Sequence, residues 1–322
     1  MVQVIEGERA SAEGHKLFAV TVLPDAGQAP GAVLCWHHGV GEHIGRYEKV
    51  FARLAQAGIA VYSGDIVGHG KSEGHRAYIE SYTDTVEEFL ALCEWAAADV
   101  KARYPGAAPP FFIGGHSLGG LVAALACHRD QTRWAGLMVC SPAMDVEMGL
   151  VLKIQAALGG LLAAIAPRAR MVPAVDPKDM NPDPKCVEDY CNDPLNTVGN
   201  LPMRTGNEVL KAMRWLRARW PDFTLPIYMH HGEGDKCTSP KASQAFVAAA
   251  SSTDKTANIV PGGYHEVLLT AGVADTLTDN MIKWIKDHAT GPRAAAASGA
   301  GTAAGATEGG NATAAAGAAA KM

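Results

Sequence analysis

A five-residue motif near the middle of the chain has the residue types of a nucleophilic serine site. The motif GHSLG, at residues 115–119, comes shortly after the apolar run PFFI and opens a helical pattern over residues 118–128. Between a strand and a helix, a G-x-S-x-G sequence makes a sharp turn that lifts the serine hydroxyl above the sheet edge, and small flanking residues avoid clashes there. We therefore predict that Ser117 is a catalytic nucleophile.

A serine hydroxyl needs two further side chains to react at neutral pH. A histidine must take its proton, and a carboxylate must hold that histidine in the useful tautomer. In proteins with this motif the chain order is serine, acid, histidine, with the last two after late strands. Asp235 follows the apolar run LPIYMHHG and His265 follows TANIV. We predict that both complete a catalytic triad, with Glu233 and Asp222 as alternative acids.

The tetrahedral intermediate of acyl transfer needs hydrogen-bond donors, usually two backbone N–H groups. Leu118, directly after the nucleophile, supplies one of them. The second belongs to a loop after an early strand, and the segment HHGVG at residues 37–41 has glycines that let the backbone turn an amide inward. We predict an oxyanion hole made of Val40 and Leu118.

Several histidines suggest a metal site as an alternative to the serine nucleophile site. Imidazoles recur in the loop at residues 37–43 and at His69, His230 and His231, and paired imidazoles are common zinc ligands. However, the chain has no H-E-x-x-H or other recognised metal-ligand spacing. We therefore expect neither a metal ion nor a cofactor.

Short apolar runs alternate with longer segments of helical period through most of the chain. The runs AVLCWH, IAVYSG and PFFIGG are each followed by a helical pattern, over residues 46–57, 83–102 and 118–128. Thr85 and Glu88 have the spacing of a capping box, which predicts a helix start there. Such alternation predicts a mostly parallel sheet flanked by helices. Together with the serine motif, it predicts the α/β-hydrolase fold.

The alternation breaks over residues 141–206, which are rich in Pro, Asp and Met. We interpret this stretch, called the cap segment below, as a helical cap inserted between core segments at residues 1–140 and 207–290. An amphipathic stripe within it predicts either docking on a lipid surface or packing on the protein's own core. A transmembrane span is disfavoured because Lys153 interrupts a barely sufficient length. The stripe consists of Leu150, Ile154, Ala157, Leu158, Leu161, Leu162 and Ile165.

Composition sets limits on partners. The formal net charge is only −5 and the charges are dispersed, which argues against a nucleic-acid partner. Residues 291–322 consist mainly of Ala, Gly, Thr and Ser, so we predict a disordered tail.

Composition also bears on location. The first residues lack a secretory apolar run, and the seven cysteines have irregular spacing, so we expect a reducing, cytoplasmic environment. The final tripeptide, residues 320–322, distantly resembles a peroxisomal address.

Six segments resemble the monoacylglycerol lipases and occur in the same order as in that family. They are HHGVGEHIGRY, DIVGHGKSEG, GHSLGG, DYCNDPL, HGEGD and GGYHEV, within about residues 34–284. The resemblance implies cofactor-free hydrolysis of monoacylglycerol to fatty acid and glycerol through an acyl-serine intermediate. It also implies the triad and the oxyanion hole named above.

The resemblance further suggests residues that contact substrate. It implies that Glu42 and Arg46 help to bind the glycerol head group and that Tyr190, in the cap segment, lines its exit. Animal members have a second histidine three residues after the catalytic one, whereas this chain has Leu268. The family's cap also implies peripheral contact with a membrane or lipid droplet.

Three classes of function fit these residues. The first is an ester hydrolase acting on monoacylglycerol, or on neighbouring substrates such as lysophospholipids and other carboxylic esters. The second is an acyltransferase that uses the same acyl-enzyme with an acceptor other than water. The third is a non-catalytic lipid-binding scaffold, which the complete set of predicted catalytic residues disfavours.

Overall fold

The computed structural model describes residues 1–145, 160–173 and 176–299. The strands are β1 (Gln3–Ala10), β2 (Lys16–Leu23), β3 (Ala32–His37), β4 (Ile59–Gly64), β5 (Phe111–His116), β6 (Gly136–Cys140), β7 (Arg170–Val172), β8 (Leu201–Pro202), β9 (Ile227–Gly232) and β10 (Lys255–Val260). The α-helices are α1 (Glu48–Gln56), α2 (Tyr82–Arg103), α3 (Leu118–Arg129), α4 (Pro184–Asn192), α5 (Met203–Arg217), α6 (Pro240–Ala249), α7 (Ala274–His288) and α8 (Pro292–Gly299). Short 3-10 helices cover Ile44–Tyr47, Gln131–Arg133, Pro177–Asp179 and Trp220–Asp222.

Eight of these strands form one sheet in the order β1-β2-β4-β3-β5-β6-β9-β10. The six strands from β4 to β10 in that order pair in parallel, while β1 and β2 add an antiparallel edge. All six residues of β3 are buried, as expected for a parallel strand with helices on both faces. The predicted α/β-hydrolase fold with a mostly parallel sheet is confirmed.

Helices cover both faces of the sheet. On one face α2, α3, α5 and α6 contribute to a cluster of buried side chains that includes Phe89 and Phe246. On the other face α1, α7 and α8 contribute to a second cluster that includes Phe51 and Trp284. Because the strands are held from both sides, the loops at their carboxyl ends have a rigid base, and that edge is where ligands bind in such folds.

Helix α2 begins earlier than the capping-box spacing indicates. Its N-cap is Ser81, whose hydroxyl accepts a hydrogen bond from the N–H of Thr83, while Thr85 lies inside the helix. The prediction of a start at Thr85 was therefore wrong. A serine in an extended conformation reaches the free N–H groups of the first turn as well as a capping box does.

The cap segment follows β6, contains β7, β8 and α4, and ends within the first turn of α5. Most of the predicted amphipathic stripe, from Leu150 to Leu158, lies outside the described residues. Residues 160–165 are helical, with Leu161 and Ile165 exposed at 62% and 73% and Ala163 buried. Across the described ranges, no helix combines the length and apolar character needed to cross a membrane.

The predicted disorder was wrong for the first part of the tail, because α8 covers Pro292–Gly299. The guanidinium of Arg293 donates to the carbonyl of Gln131 at 2.7 Å, and Ala297 is buried against the core. Alanine is the best helix former, and its methyl group allows close packing that composition alone does not reveal. Residues 300–322, with the peroxisomal-like tripeptide, lie outside the described residues.

A carboxyl group on α2 makes the stability of the fold depend on pH. Burial, together with the charges of Glu13 and Asp84, raises the pKa of Glu88 from its ordinary value of 4.5 to about 7. A raised folded-state pKa means that stabilisation present below pH 4.5 is lost as the pH rises through 7. We expect Glu88→Gln to stabilise the protein at pH 8 by about 1 kcal/mol, after allowance for solvent screening, and to have almost no effect at pH 4.

Thermal melting at both pH values tests this expectation, because about 1 kcal/mol corresponds to a shift of about 2 °C in a chain of this size. Glu87→Gln is the matched control, since the neighbouring Glu87 is exposed and pairs with Arg129 at the surface. Equal melting shifts for the two variants at pH 8 would contradict the raised pKa of Glu88.

Candidate active site

Ser117 lies on the sharp turn between β5 and α3. Its φ of 53° is in the left-handed region, which non-glycine residues adopt only when the surrounding structure enforces it. The turn is closely packed against the end of β3, because a Cβ on Gly119 would lie only 2.0 Å from the carbonyl oxygen of His37. The flanking glycines therefore allow the turn, and the serine stands at the carboxyl edge of the sheet.

The structure brings Asp235 and His265 into direct contact. Asp235 lies in the turn after β9, His265 lies in the loop after β10, and Oδ2 of Asp235 accepts from Nδ1 of His265 at 2.7 Å. Burial alone would raise the pKa of Asp235, but the charge of His265 and hydrogen bonds from His231 and His265 hold it well below its usual range. The carboxyl group is therefore ionised and fixes the tautomer of the imidazole.

The two alternative acids point elsewhere. Asp222 lies near the surface and pairs with His128 at 2.9 Å. Glu233 accepts a hydrogen bond from the backbone N–H of Gly262 at 3.3 Å. Asp235 is the candidate whose carboxylate bonds to the imidazole.

Ser117 and His265 line one cavity of about 60 Å³ at this edge of the sheet. Within the described ranges, no hydrogen bond joins the hydroxyl of Ser117 to His265. In free enzymes this contact is often long and shortens when substrate arrives. The remaining walls are Val40 and cap-segment residues Pro177, Met180, Tyr190, Thr197, Val198, Gly199 and Leu201.

The two predicted oxyanion donors border the nucleophile. Val40 lies in the loop after β3 and lines the cavity, and Leu118 is the first residue of α3. Neither N–H donates to an acceptor in the part of the chain that the structure describes. Two free N–H groups beside the serine, one of them at a helix N-terminus, suit a developing oxyanion.

Glu42 is buried in the loop after β3, two residues beyond Val40; residues 38–43 of this loop are called the oxyanion loop below. Its Oε1 accepts from the N–H of Gly39 at 2.6 Å, the hydroxyl of Tyr47 at 2.7 Å and Nδ1 of His116 at 2.9 Å. Its Oε2 accepts from Arg46 at 3.0 Å. With both oxygens engaged by the protein, Glu42 anchors the loop that carries Val40.

Arg46 joins two buried carboxylates. Its Nη1 donates to Oε1 of Glu266 at 2.6 Å as well as to Glu42, and its guanidinium stacks over the ring of Tyr190 at 4.9 Å. Burial would raise the pKa of Glu42, but the charges of His116 and Arg46 and a hydrogen bond from His116 hold it well below its usual range. Burial likewise opposes protonation of His116, yet the nearby charges of Glu42 and Glu266 raise its pKa.

Replacing Arg46 with methionine should destabilise the protein strongly. The variant leaves Glu42 and Glu266, exposed at 3% and 1%, without their cation. Removing one partner from a buried ion pair costs about 3 to 5 kcal/mol, which urea unfolding would measure. In contrast, Arg53→Met removes surface pairs with Asp275 and Asp279 and should cost about 1 kcal/mol or less.

This comparison also tests the role that the family resemblance implies. If Arg46 acted mainly by holding the glycerol head group, Arg46→Met would raise KM and leave the unfolding free energy close to that of the wild type. That result would contradict the assignment of Arg46 to an internal ion-pair network.

Several contacts tie the cap segment to the core around the cavity. Among them are the stacking of Arg46 on Tyr190, the pair between His43 and Asp193 at 2.8 Å, the pair between Lys236 and Asp179 at 2.9 Å, and the hydrogen bond from the N–H of Glu266 to the carbonyl of Met180. Leu268, at the position of the second histidine in animal relatives, is buried in the core instead.

The sequence prediction missed several residues around the predicted triad, three of which contact residues that it named. His116 contacts Glu42, Glu266 binds Arg46, and His231 donates to Asp235. Each of them is adjacent to a predicted residue or lies in the same motif, and this proximity in sequence is the only local feature that could have indicated a role in the site. For His116 and Glu266 the partners lie 74 and 220 positions away, which no local pattern records, whereas His231 is only four residues from Asp235.

Among the described residues, one set of side chains has ligand atoms close enough for a metal ion. Single ligand atoms of Asp235, Cys237 and His265 lie within 4.8 Å of one another. Here Asp235 and His265 are engaged with each other through a hydrogen bond, and burial and nearby carboxylates raise the pKa of the Cys237 thiol. The proton-transfer role explains the cluster better than metal binding does.

The sheet order and the serine turn define an α/β-hydrolase. Residues 28–270 match the family described as "Serine aminopeptidase, S33". Human monoglyceride lipase is 30% identical over 257 residues, which cover 79% of this chain and 81% of that protein. The chain therefore belongs to this family of serine hydrolases, and within it to the monoglyceride lipases.

Two further similarities are informative. An uncharacterized abhydrolase domain-containing protein of Dictyostelium discoideum is 32% identical over 264 residues, which cover 80% of this chain but only 27% of that longer protein. A soluble variant of monoglyceride lipase from Saccharomyces cerevisiae, solved with a substrate analog, has a TM-score of 0.78 and 20% identity, covering 88% of this chain and 96% of that one. The second similarity shows the shared fold.

Proposed function

We propose that this protein hydrolyses monoacylglycerol to a fatty acid and glycerol through an acyl-enzyme at Ser117. The observation that carries the proposal is the bonded pair of Asp235 and His265, whose imidazole lines one cavity with Ser117 and Val40. The relationship to human monoglyceride lipase supports monoacylglycerol as the substrate class.

The first half of the reaction forms the acyl-enzyme. His265 takes the proton of Ser117 while the serine oxygen attacks the ester carbonyl carbon. The carbonyl oxygen gains negative charge and accepts hydrogen bonds from the N–H groups of Val40 and Leu118. The tetrahedral intermediate then collapses: the bond to the alcohol oxygen breaks, and protonated His265 gives its proton to the departing glycerol.

The second half repeats the chemistry with water. His265 removes a proton from water, the hydroxide attacks the acyl carbon, and the bond to the oxygen of Ser117 breaks. The proton returns to the serine and the fatty acid leaves. Asp235 stays ionised throughout and stabilises the imidazolium that forms in each half.

We place the alcohol part of the substrate against Tyr190. This side chain lines the cavity, and its hydroxyl lies 3.5 Å from the carbonyl of Gly41. The guanidinium of Arg46 stacks on the ring of Tyr190, and Glu42 accepts a hydrogen bond from the N–H of Gly39 in the oxyanion loop. The two charged residues thus shape the head-group end of the site through the residues they contact.

We further propose that the enzyme works in the cytoplasm and visits lipid surfaces through its cap segment. Among the described residues of this segment, four large apolar side chains are exposed, and Val198 also lines the cavity. Apolar side chains beside a substrate entrance suit contact with a membrane or lipid droplet. They are Leu161, Ile165, Met171 and Val198.

Binding to phosphatidylcholine vesicles tests this surface. Leu161→Ser combined with Ile165→Ser should lower the partition coefficient by about tenfold or more, because burying one large apolar side chain contributes about 1.5 to 3 kcal/mol. Val4→Ser is the matched control, since Val4 is also exposed but lies on β1. Equal partitioning of all three proteins would contradict lipid contact through the cap.

The proposed activity is tested by fatty acid release from monoacylglycerol, triacylglycerol and lysophospholipid, each with and without an added alcohol acceptor. Highest kcat/KM on monoacylglycerol supports the proposal. Faster cleavage of lysophospholipid would make the protein a lysophospholipase, and transfer to the alcohol without hydrolysis would make it an acyltransferase. No reaction with any ester would leave a lipid-binding scaffold.

A further inference from the structure

The predicted catalytic acid bonds to a second imidazole besides that of His265. Nε2 of His231 lies 2.9 Å from Oδ2 of Asp235, the same oxygen that bonds to Nδ1 of His265 at 2.7 Å. His231 is completely buried near the end of β9, four residues before the acid. Ester cleavage needs proton transfer by His265 alone, so His231 requires a separate explanation.

The contacts of His231 fix its protonation. An ionised carboxylate can only accept hydrogen bonds, so Nε2 of His231 must carry a proton. Burial lowers the pKa of His231, which favours the neutral ring, and Nδ1 is then an acceptor. The hydroxyl of Ser243 on α6 lies 2.9 Å from Nδ1 and donates to it. Ser243 thus selects the tautomer in which His231 donates to Asp235.

The carboxylate of Asp235 is held from all sides. Oδ1 accepts from the N–H groups of Cys237 at 2.7 Å and Thr238 at 3.1 Å. Oδ2 accepts from His231, His265 and the Thr238 hydroxyl, which lies at 2.9 Å. Rotation of the carboxylate would break several of these bonds at once. Its orientation toward His265 is therefore set before substrate binds.

We propose that His231 is a positioning residue for the reaction: its Nε2–H, directed by Ser243, holds Oδ2 of Asp235 where Nδ1–H of His265 meets it. The inference rests on the proposed ester hydrolysis. It adds Ser243 and His231 to the chain of hydrogen bonds, which then runs from Ser243 through His231 and Asp235 to His265.

A neighbouring histidine provides a natural comparison. His230 precedes His231 on β9 and is equally buried, but neither of its ring nitrogens has a partner among the described residues. Both side chains fill the interior, whereas only His231 contacts the acid. Substitution at the two positions therefore separates the filling of space from the orientation of Asp235.

The test compares His231→Met, His231→Gln and His230→Met with the wild type, using p-nitrophenyl butyrate as an ester that reports the triad whatever the natural head group. Methionine fills the site without a donor, and the amide nitrogen of glutamine replaces Nε2. Losing a hydrogen bond to a charged group should lower kcat of His231→Met about 10- to 100-fold with KM nearly unchanged. His231→Gln should recover most of kcat, and His230→Met should stay within about threefold of the wild type.

If His231→Met does not fold, Ser243→Ala takes its place. Without the serine donor, His231 can adopt the other tautomer, and we expect kcat to fall about 3- to 10-fold in a variant that still folds. Equal losses in His230→Met and His231→Met, no recovery with glutamine, or a wild-type kcat in Ser243→Ala would overturn the positioning role. A wild type that cleaves no ester would overturn the proposed function, and this inference with it.

Discussion

Ser117→Ala will release fatty acid from monoacylglycerol about 10⁵-fold more slowly than the wild type while melting at nearly the same temperature. No other hydroxyl can form the acyl-enzyme at this turn, so the covalent route is lost, and what remains is stabilisation by the oxyanion hole and binding. The alanine methyl fits the backbone conformation of Ser117 no worse than the serine side chain does. Stopped assays of fatty acid release at saturating substrate measure kcat directly.

The matched control is Ser141→Ala, which removes another buried hydroxyl from the end of the neighbouring strand β6. Its kcat should stay within about threefold of the wild type, because its side chain lies outside the proposed reaction. An active Ser117→Ala enzyme would show that a different nucleophile, or a bound water molecule, attacks the ester.

Asp235→Asn is expected to lower kcat by about 10⁴-fold. Five hydrogen bonds are donated to this carboxylate, so the NH₂ group of asparagine, itself a donor, must face another donor whichever way the side chain turns. Toward His265, the NH₂ group would force the imidazole into the wrong tautomer. Toward Cys237 and Thr238, it would oppose two backbone N–H groups. Besides the loss in kcat, we expect a loss of stability of about 1 to 3 kcal/mol.

Glu233→Gln is the matched control for this substitution. Glu233 is two residues before the proposed acid and faces Gly262 instead of the imidazole, so its kcat should stay within about threefold of the wild type. If Glu233→Gln were the less active variant, the acid of the triad would have to be reassigned.

Local patterns in the sequence predicted the framework of this protein well. Apolar runs of strand length separated by helical periods indicate a parallel sheet, because buried strands and amphipathic helices have different periodicities. Motif position relative to those runs then located Ser117, Asp235 and His265 at the carboxyl edge. The structure places Asp235 against His265, and His265 lines one cavity with Ser117, although the three are spread over 149 residues of chain.

Contacts between distant residues could not be predicted in the same way. Arg46 and Glu266 are 220 positions apart, and nothing near either one indicates that the other completes a buried ion pair. The start of α2 was misplaced because several polar residues near Ser81 could cap a helix, and only the backbone geometry decides among them. Helix α8 was missed because an alanine-rich segment is helical or disordered according to what it packs against.

The contacts between the cap segment and the core have a consequence for protein engineering. Exchanging caps between relatives is an obvious route to new substrate preferences, since the cap lines the cavity. In this protein the exchanged piece would take away Tyr190 and Asp193 and leave Arg46 and His43 facing whatever replaced them. The cap is thus not a detachable module, and a successful chimera would have to bring along the core side chains on which its own cap rests.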